Sequence, residues 1–219
     1  IVIVVSLLIA GNRMPLLLFL FLFFLFFILN ANLQKYFFIA VVSLPLIFFL
    51  FIKDNEKAFN NFHGAYIQIK NITYNYFYNY EEFVPKKVPE QIYQFRSGLY
   101  TWSFNNKILG GGIKSFKFNC WPAHEKLGSK WSCDTHPHNY YIEILSELGL
   151  IGILIILIIF LLLISSFTKN FSFKRKFDYE NVAFQIFFLL LLAEFFPIKS
   201  SGSFFSTFNA AYIFLLMPI

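Results

Sequence analysis

Long stretches of this chain carry no charge, among them Met14–Gln34, Tyr36–Ile52, Leu148–Thr168, Asn181–Ala193 and Ser200–Ile219. A bilayer's hydrocarbon core takes roughly 20 apolar residues of helix, with about 17 as a lower bound. The pattern predicts spanning helices over Met14–Leu29, Tyr36–Ile52 and Tyr141–Phe167. A slightly shorter one is expected over Asn181–Phe196, closed by Pro197. Ile1–Ala10 and Phe208–Ile219 are apolar but too short to cross, so each reads as part of a helix cut at a chain end. Only 14% of the 219 residues are charged and 58% are hydrophobic, including 33 Phe. Soluble domains carry roughly 25% charged residues. This composition excludes a water-soluble globule, because too little polar surface exists to cover the apolar mass. It excludes disorder for the same reason.

The charges that do occur are clustered. Lys53–Asn139 holds eleven of the eighteen Lys/Arg and seven of the twelve Asp/Glu, and reads as a folded loop outside the membrane. Thr168–Glu180 carries Lys169, Lys174, Arg175 and Lys176, so the positive-inside rule makes that short loop cytoplasmic. Alternation then places the large loop, Arg13 and the polar segment Lys199–Ser203 on the extracytoplasmic side. The expected organisation is transmembrane helices over 1–52, a periplasmic loop over 53–139 and a transmembrane helix over 140–167. A cytoplasmic loop over 168–180 and further transmembrane helices over 181–219 complete it. The fold class is an all-α polytopic membrane protein, a helix bundle with one large extracytoplasmic loop. The net charge of +6 therefore orients the chain in a membrane and is no nucleic-acid signature.

Several residues could carry chemistry. Arg13 lies between two apolar runs, where a guanidinium is either a snorkelling interface residue or a bidentate phosphate ligand. Arg96 stands in the outer loop, followed by Trp102 and the run Gly110-Gly-Gly112, a structural turn by default. Cys120 and Cys133 are the only cysteines, and their compartment favours a disulfide. A zinc site is the rival reading, because Cys120, His124, Cys133 and His136 have tolerable ligand spacing. His136-Pro-His138-Asn139 stands at the outer mouth of the third span, where a histidine either serves acid–base chemistry near neutral pH or, by default, merely caps the helix or sits in the headgroup zone. Glu143 and Glu147 share one helix face, and either pair with Arg13 or Arg96 or favour the helix N-terminus. Gly149 and Gly152 suit close helix packing in lipid. Glu194 needs a partner within the bundle.

His138-Asn139, nine residues, Gly149, two residues and then Gly152 resembles the hallmark of bacterial O-antigen ligases and the related O-antigen polymerases. Gly11-Asn-Arg13 before an apolar helix is similar to that family's Ser-Arg-Gly element, with Asn12 and Met14 as departures. Arg96, Trp102 and Gly110–Phe116 are similar to its periplasmic Arg, Trp and Gly-x-Gly-x-x-x-Phe order. The resemblance spans roughly Gly11 to Ser206. It implies a GT-C-like glycosyltransferase that needs no metal or other cofactor, sited at the periplasmic face of the inner membrane. The donor would be a glycan on undecaprenyl pyrophosphate. A ligase would pass it to lipid A–core sugar, and a polymerase to another repeat unit. Arg13 and Arg96 would hold the pyrophosphate, and His138 would act as general base on the acceptor hydroxyl. His136 and Glu143 would support them. A transporter and a non-catalytic membrane anchor are the alternatives from other classes. The bare helix centres speak against the first. The second gives no reason for Arg13, Arg96 and His138 to share a side.

Overall fold

The computed structural model describes residues 3, 4, 6, 7, 13–30, 33–53, 55–77, 90–127, 133–170 and 179–216. Its described helices are α1 (Arg13–Leu29), α2 (Gln34–Lys53), α3 (Glu56–Phe77) and α4 (Glu90–Phe104), then α5 (Phe116–Leu127), α6 (Tyr140–Asn170), α7 (Tyr179–Glu194) and α8 (Thr207–Leu216). Among the described residues the chain is all-α, and the sole extended pairing is an isolated bridge between Asn106 and Gly110. α6 is long and apolar enough to cross a membrane. Arg13–Leu29, Gln34–Leu50 and Val182–Glu194 are apolar but shorter. Gly11, Asn12 and the basic cluster Lys174–Lys176 lie outside the described residues.

The chain divides into two compact units. Unit 1 comprises residues 1–88 and 173–189. Here α1 packs on α2, and α2 on α3. Val4 and Leu16 form the buried centre, surrounded by Phe19, Leu20, Leu44, Phe48 and Phe62. The opposite face of α2 leaves Phe38, Ile39, Val42, Leu46 and Phe49 exposed. An apolar outer face on an apolar helix is the surface that lipid requires. α3 starts with a cap, in which Ala58 N donates to Asn55 Oδ1 at 3.0 Å.

Unit 2 comprises residues 89–172 and 190–219. α4 packs on both α5 and α6. The large side chains sealed inside are Phe116, Ile144 and Thr101 together with Glu143 and Glu147. The apolar run of α6 after Gly149 is turned outward, with Leu150, Leu154, Ile155, Leu157, Leu161 and Leu162 exposed. The stretch expected as one extramembrane loop is thus divided. Its first part, with α3, belongs to unit 1, and α4, α5 and the segment up to Asn139 belong to unit 2.

Candidate functional site

The densest set of polar side chains surrounds the first three turns of α6. Asn139 caps that helix: its Oδ1 accepts from Tyr141 N at 3.1 Å and Ile142 N at 3.2 Å. Its Nδ2 donates to Pro197 O at 2.7 Å. Ser201 N donates to His138 O at 2.9 Å, so backbone and side chain tie the segment after α7 to the start of α6. Tyr140 Oη donates to Glu194 Oε1 at 2.6 Å, and Lys199 Nζ pairs with Glu194 Oε2 at 2.7 Å. Glu194 therefore finds both partners within its own unit.

Glu143 and Glu147 each grip a different loop. Glu143 accepts from Ser203 Oγ and from Phe204 N, fixing the turn that precedes α8. Glu147 accepts from Lys114 N at 2.5 Å and Phe116 N at 3.3 Å, at the N-terminus of α5. A carboxylate there satisfies helix donors that would otherwise lack partners.

Of the two glycines expected to suit close helix packing, Gly149 meets the backbone of a loop. Gly149 breaks the helical dihedrals at φ 66° and ψ −158°, and α6 kinks there. The kink frees backbone groups, and the Gly-rich loop takes them up. Gly111 N donates to Ser146 O and Gly112 N to Glu147 O. In return Leu150 N and Ile151 N donate to the carbonyls of Lys107 and Ile108, at 3.1 and 3.2 Å. A Cβ on Gly149 would lie 2.3 Å from Ile108 O, and one on Gly110 would lie 2.3 Å from Glu147 O. Backbone meets backbone, and only glycine fits at either place. One on Gly152 would strike Leu148 and Ile144 of its own helix, at 2.5 and 2.9 Å.

His138 sits just before this helix with a left-handed backbone, φ 52°. Its Nε2 is 3.0 Å from Asp134 Oδ2, and its side chain remains partly exposed. The hydrogen bond from His138, first, and one from Thr135 N hold the Asp134 carboxyl below the ordinary aspartate range. His136 lies alongside, with ring centroids 4.2 Å apart. Burial pushes His136 below the ordinary imidazole value, and the neighbouring His138 pushes it the same way. Asp134 carries no family motif. A carboxylate four residues from a histidine is the one signal that could have found it.

Arg96 is exposed on α4, next to the buried Ser97 and Gly98. A Cβ on Gly98 would lie 2.1 Å from Ile142 Cγ2 and 3.1 Å from Pro137 Cβ. This close approach brings the Arg96 turn of α4 against the residues flanking His138. Trp102 Nε1 donates to Lys107 O at 3.0 Å and steadies the base of the Gly-rich loop. Cys120 and Cys133 are joined as a disulfide. Potential ligand atoms of Cys120, His124 and Cys133 lie within 4.8 Å of one another, but sulfurs bonded to each other are not thiolate ligands. Burial lowers the pKa of His124.

Arg13 belongs to unit 1, where Nη1 donates to Gln68 Oε1 at 3.0 Å. It stands at the edge of an apolar cavity of about 340 Å³, lined among others by Leu16, Leu20, Phe24, Leu44 and Phe48. The guanidinium also lies beside Gly64 of α3, where a Cβ would be 3.6 Å from Nη2, an ordinary contact.

Comparison with known proteins adds one finding. A family model described as O-antigen ligase matches residues 1–157, a stretch that takes in Arg13, Arg96, His138, Gly149 and Gly152. No curated protein and no solved structure gives a match.

Proposed function

The chain belongs to the O-antigen ligase family of membrane proteins, and from that premise we propose that it transfers a glycan from undecaprenyl pyrophosphate to a sugar hydroxyl at the periplasmic membrane face. The chain is then a multi-pass protein of the bacterial inner membrane, with residues 53–139 on the periplasmic side. The observation that carries this reading is the Asp134–His138 pair, partly exposed at the mouth of the one described helix able to span a bilayer. A lipid-linked donor keeps its tail in the membrane and its sugar outside. The group that activates an acceptor must therefore stand where the span leaves the lipid.

His138 Nε2 faces Asp134, which assigns the ring's proton to that nitrogen and leaves Nδ1 as the acceptor. Nδ1 takes the proton of the acceptor hydroxyl as that oxygen attacks the donor's anomeric carbon. The bond from that carbon to the pyrophosphate oxygen breaks, and undecaprenyl pyrophosphate departs with the electron pair. Asp134 positions the ring and stabilises the imidazolium. Arg13 and Arg96 are assigned to the pyrophosphate, whose growing charge a guanidinium meets with two parallel donors. Arg13 has more donors than the one its described bond to Gln68 uses. Asn139, Glu143, Glu147, Gly149 and Gly152 hold the start of α6 and its loops in place, as does Trp102.

The test is an in vitro transfer assay with reconstituted protein and lipid-linked donor, offered lipid A–core and a glycan repeat unit as rival acceptors. Transfer to lipid A–core identifies a ligase, and chain extension identifies a polymerase. His138→Ala is expected to lower transfer by about 10²–10⁴-fold, the range of general-base catalysis, while membrane insertion stays intact. Near-normal transfer by that variant would remove His138 from the mechanism. A chelator is expected to leave transfer unchanged.

A further inference from the structure

The Gly-rich loop and the start of α5 expose five large apolar side chains that neither unit 2's interior nor the proposed chemistry uses. Ile108, Leu109, Ile113, Phe118 and Trp121 are between 58% and 67% exposed. Lys107, Lys114 and Lys117 are interspersed among them and exposed as well. In water such a cluster is unfavourable, because its apolar surface stays uncovered.

Its position along α6 says what covers it. The uncharged run Leu148–Thr168 matches a hydrocarbon core about 30 Å thick at about 1.5 Å of rise per residue. The lipid boundary on the His138 side therefore falls near the Gly149 kink. The loop is fixed at that level by the backbone hydrogen bonds from Leu150 and Ile151 to Lys107 and Ile108. Its apolar side chains continue the exposed apolar surface of α6 that begins at Leu150. Lysines beside apolar residues, with a tryptophan, are the side chains that suit this depth: stems in the apolar zone, ammonium groups at lipid phosphates, indole at the headgroup level.

We propose that residues 107–121 form a foot seated in the lipid interface of the leaflet on the His138 side. The Gly110 and Gly149 backbone contact couples this foot to α6. The foot thereby fixes how far His138 stands above the hydrocarbon. The inference requires α6 to span the bilayer, but not that the protein transfers glycans, so either claim can fail alone.

Nitroxide labels at Leu109→Cys and Ile113→Cys test it, in protein reconstituted into vesicles of phosphatidylcholine and phosphatidylglycerol. The native cysteines are held in the disulfide and leave the new thiol as the labelling site. Accessibility to oxygen and to a water-soluble nickel chelate is compared with labels at Leu157→Cys on the outward face of α6 and Gln91→Cys at the far end of α4. The expected oxygen-to-nickel ratio at both foot positions lies nearer the Leu157 reference. A ratio like that of Gln91 would mean the foot stands in water. Low access to both reagents would mean that protein covers it. Either result overturns the proposal. Quenching of tryptophan emission by brominated lipid gives a second reading without a label. It is expected to drop clearly in Trp121→Phe, and unchanged quenching would also overturn the proposal.

Discussion

Unit 1 is centred on Val4 and Leu16 with phenylalanines and leucines around them, whereas unit 2 seals Glu143, Glu147, Ser97, Thr101 and Ser146 inside. The difference follows from the solvent. Lipid tails are as apolar as leucine, so burying leucine gives little drive for holding parts of a membrane protein together. Hydrogen bonds and close backbone approach take over where loops have to be fixed against a helix. Unit 2 has such loops, the Gly-rich segment before α5 and the turn before α8, and the two buried carboxylates hold one each. Unit 1 has fewer described polar ties: Arg13 to Gln68 beside an otherwise apolar cavity, and Asn30 to the buried Gln185. The candidate general base therefore stands on the polar framework, and Arg13 stands on the apolar one.

Glycine substitutions give the largest separation between the two. Gly149→Ala puts a Cβ against Ile108 O at a backbone angle that alanine disfavours, and should cost at least about 1–3 kcal/mol. Gly64→Ala in unit 1 lies inside α3, where a Cβ would make only an ordinary contact with Arg13, and should instead stabilise by roughly 0.5–1 kcal/mol. Thermal unfolding in detergent measures both, and the same sign for the two would erase the distinction.

The carboxylate clamp comes next. Glu147→Ala leaves the buried donor of Phe116 and the part-buried donor of Lys114 without their acceptor and should destabilise by about 1–3 kcal/mol. Gln68→Ala, which removes a partly buried bond in unit 1, should cost only about 0.5–1.5 kcal/mol. Hydrogen exchange at the start of α5 would show whether the first loss is local to the loop.

The smallest effect on stability belongs to the histidine pair. Asp134 titrates low chiefly because of His138, so His138→Ala should raise its pKa toward the ordinary aspartate value, read by carboxyl NMR. The folded-state value of Asp134 is depressed. Its contribution to stability is therefore complete above the unfolded aspartate pKa and lost as pH falls through the folded value. An unchanged Asp134 titration in the variant would show that the two side chains do not interact in solution. Asp134→Asn should slow transfer by about tenfold, less than His138→Ala, as expected of a residue that positions the base.

Much of the helical layout was legible from charge-free runs. Expected Met14–Leu29, Tyr36–Ile52 and Asn181–Phe196 correspond to Arg13–Leu29, Gln34–Lys53 and Tyr179–Glu194. The third expected span, Tyr141–Phe167, begins one residue earlier and runs to Asn170. His138 and the glycines stood out by their spacing, but the glycines' purpose did not. Gly149 and Gly152 suit close helix packing in lipid equally well, and nothing local says that residue 149 meets residue 110. Asp134 was passed over because an acid in an irregular segment has no periodicity to mark the side chain it will face. The partners of Glu143 and Glu147 were hidden for a simpler reason: they lie 60 and 61 residues ahead, and 33 and 31 residues behind.

By itself the sequence determined that these helices are built for an apolar solvent. That is a local property, set by the absence of charge over about 20 residues whatever the rest of the chain does. The tertiary structure decided which loops the buried carboxylates hold, where α6 bends, and that Asp134 faces His138. Each of these depends on a hydrogen bond or a backbone contact with an exact geometric requirement, and such a contact is defined only once the segments have met.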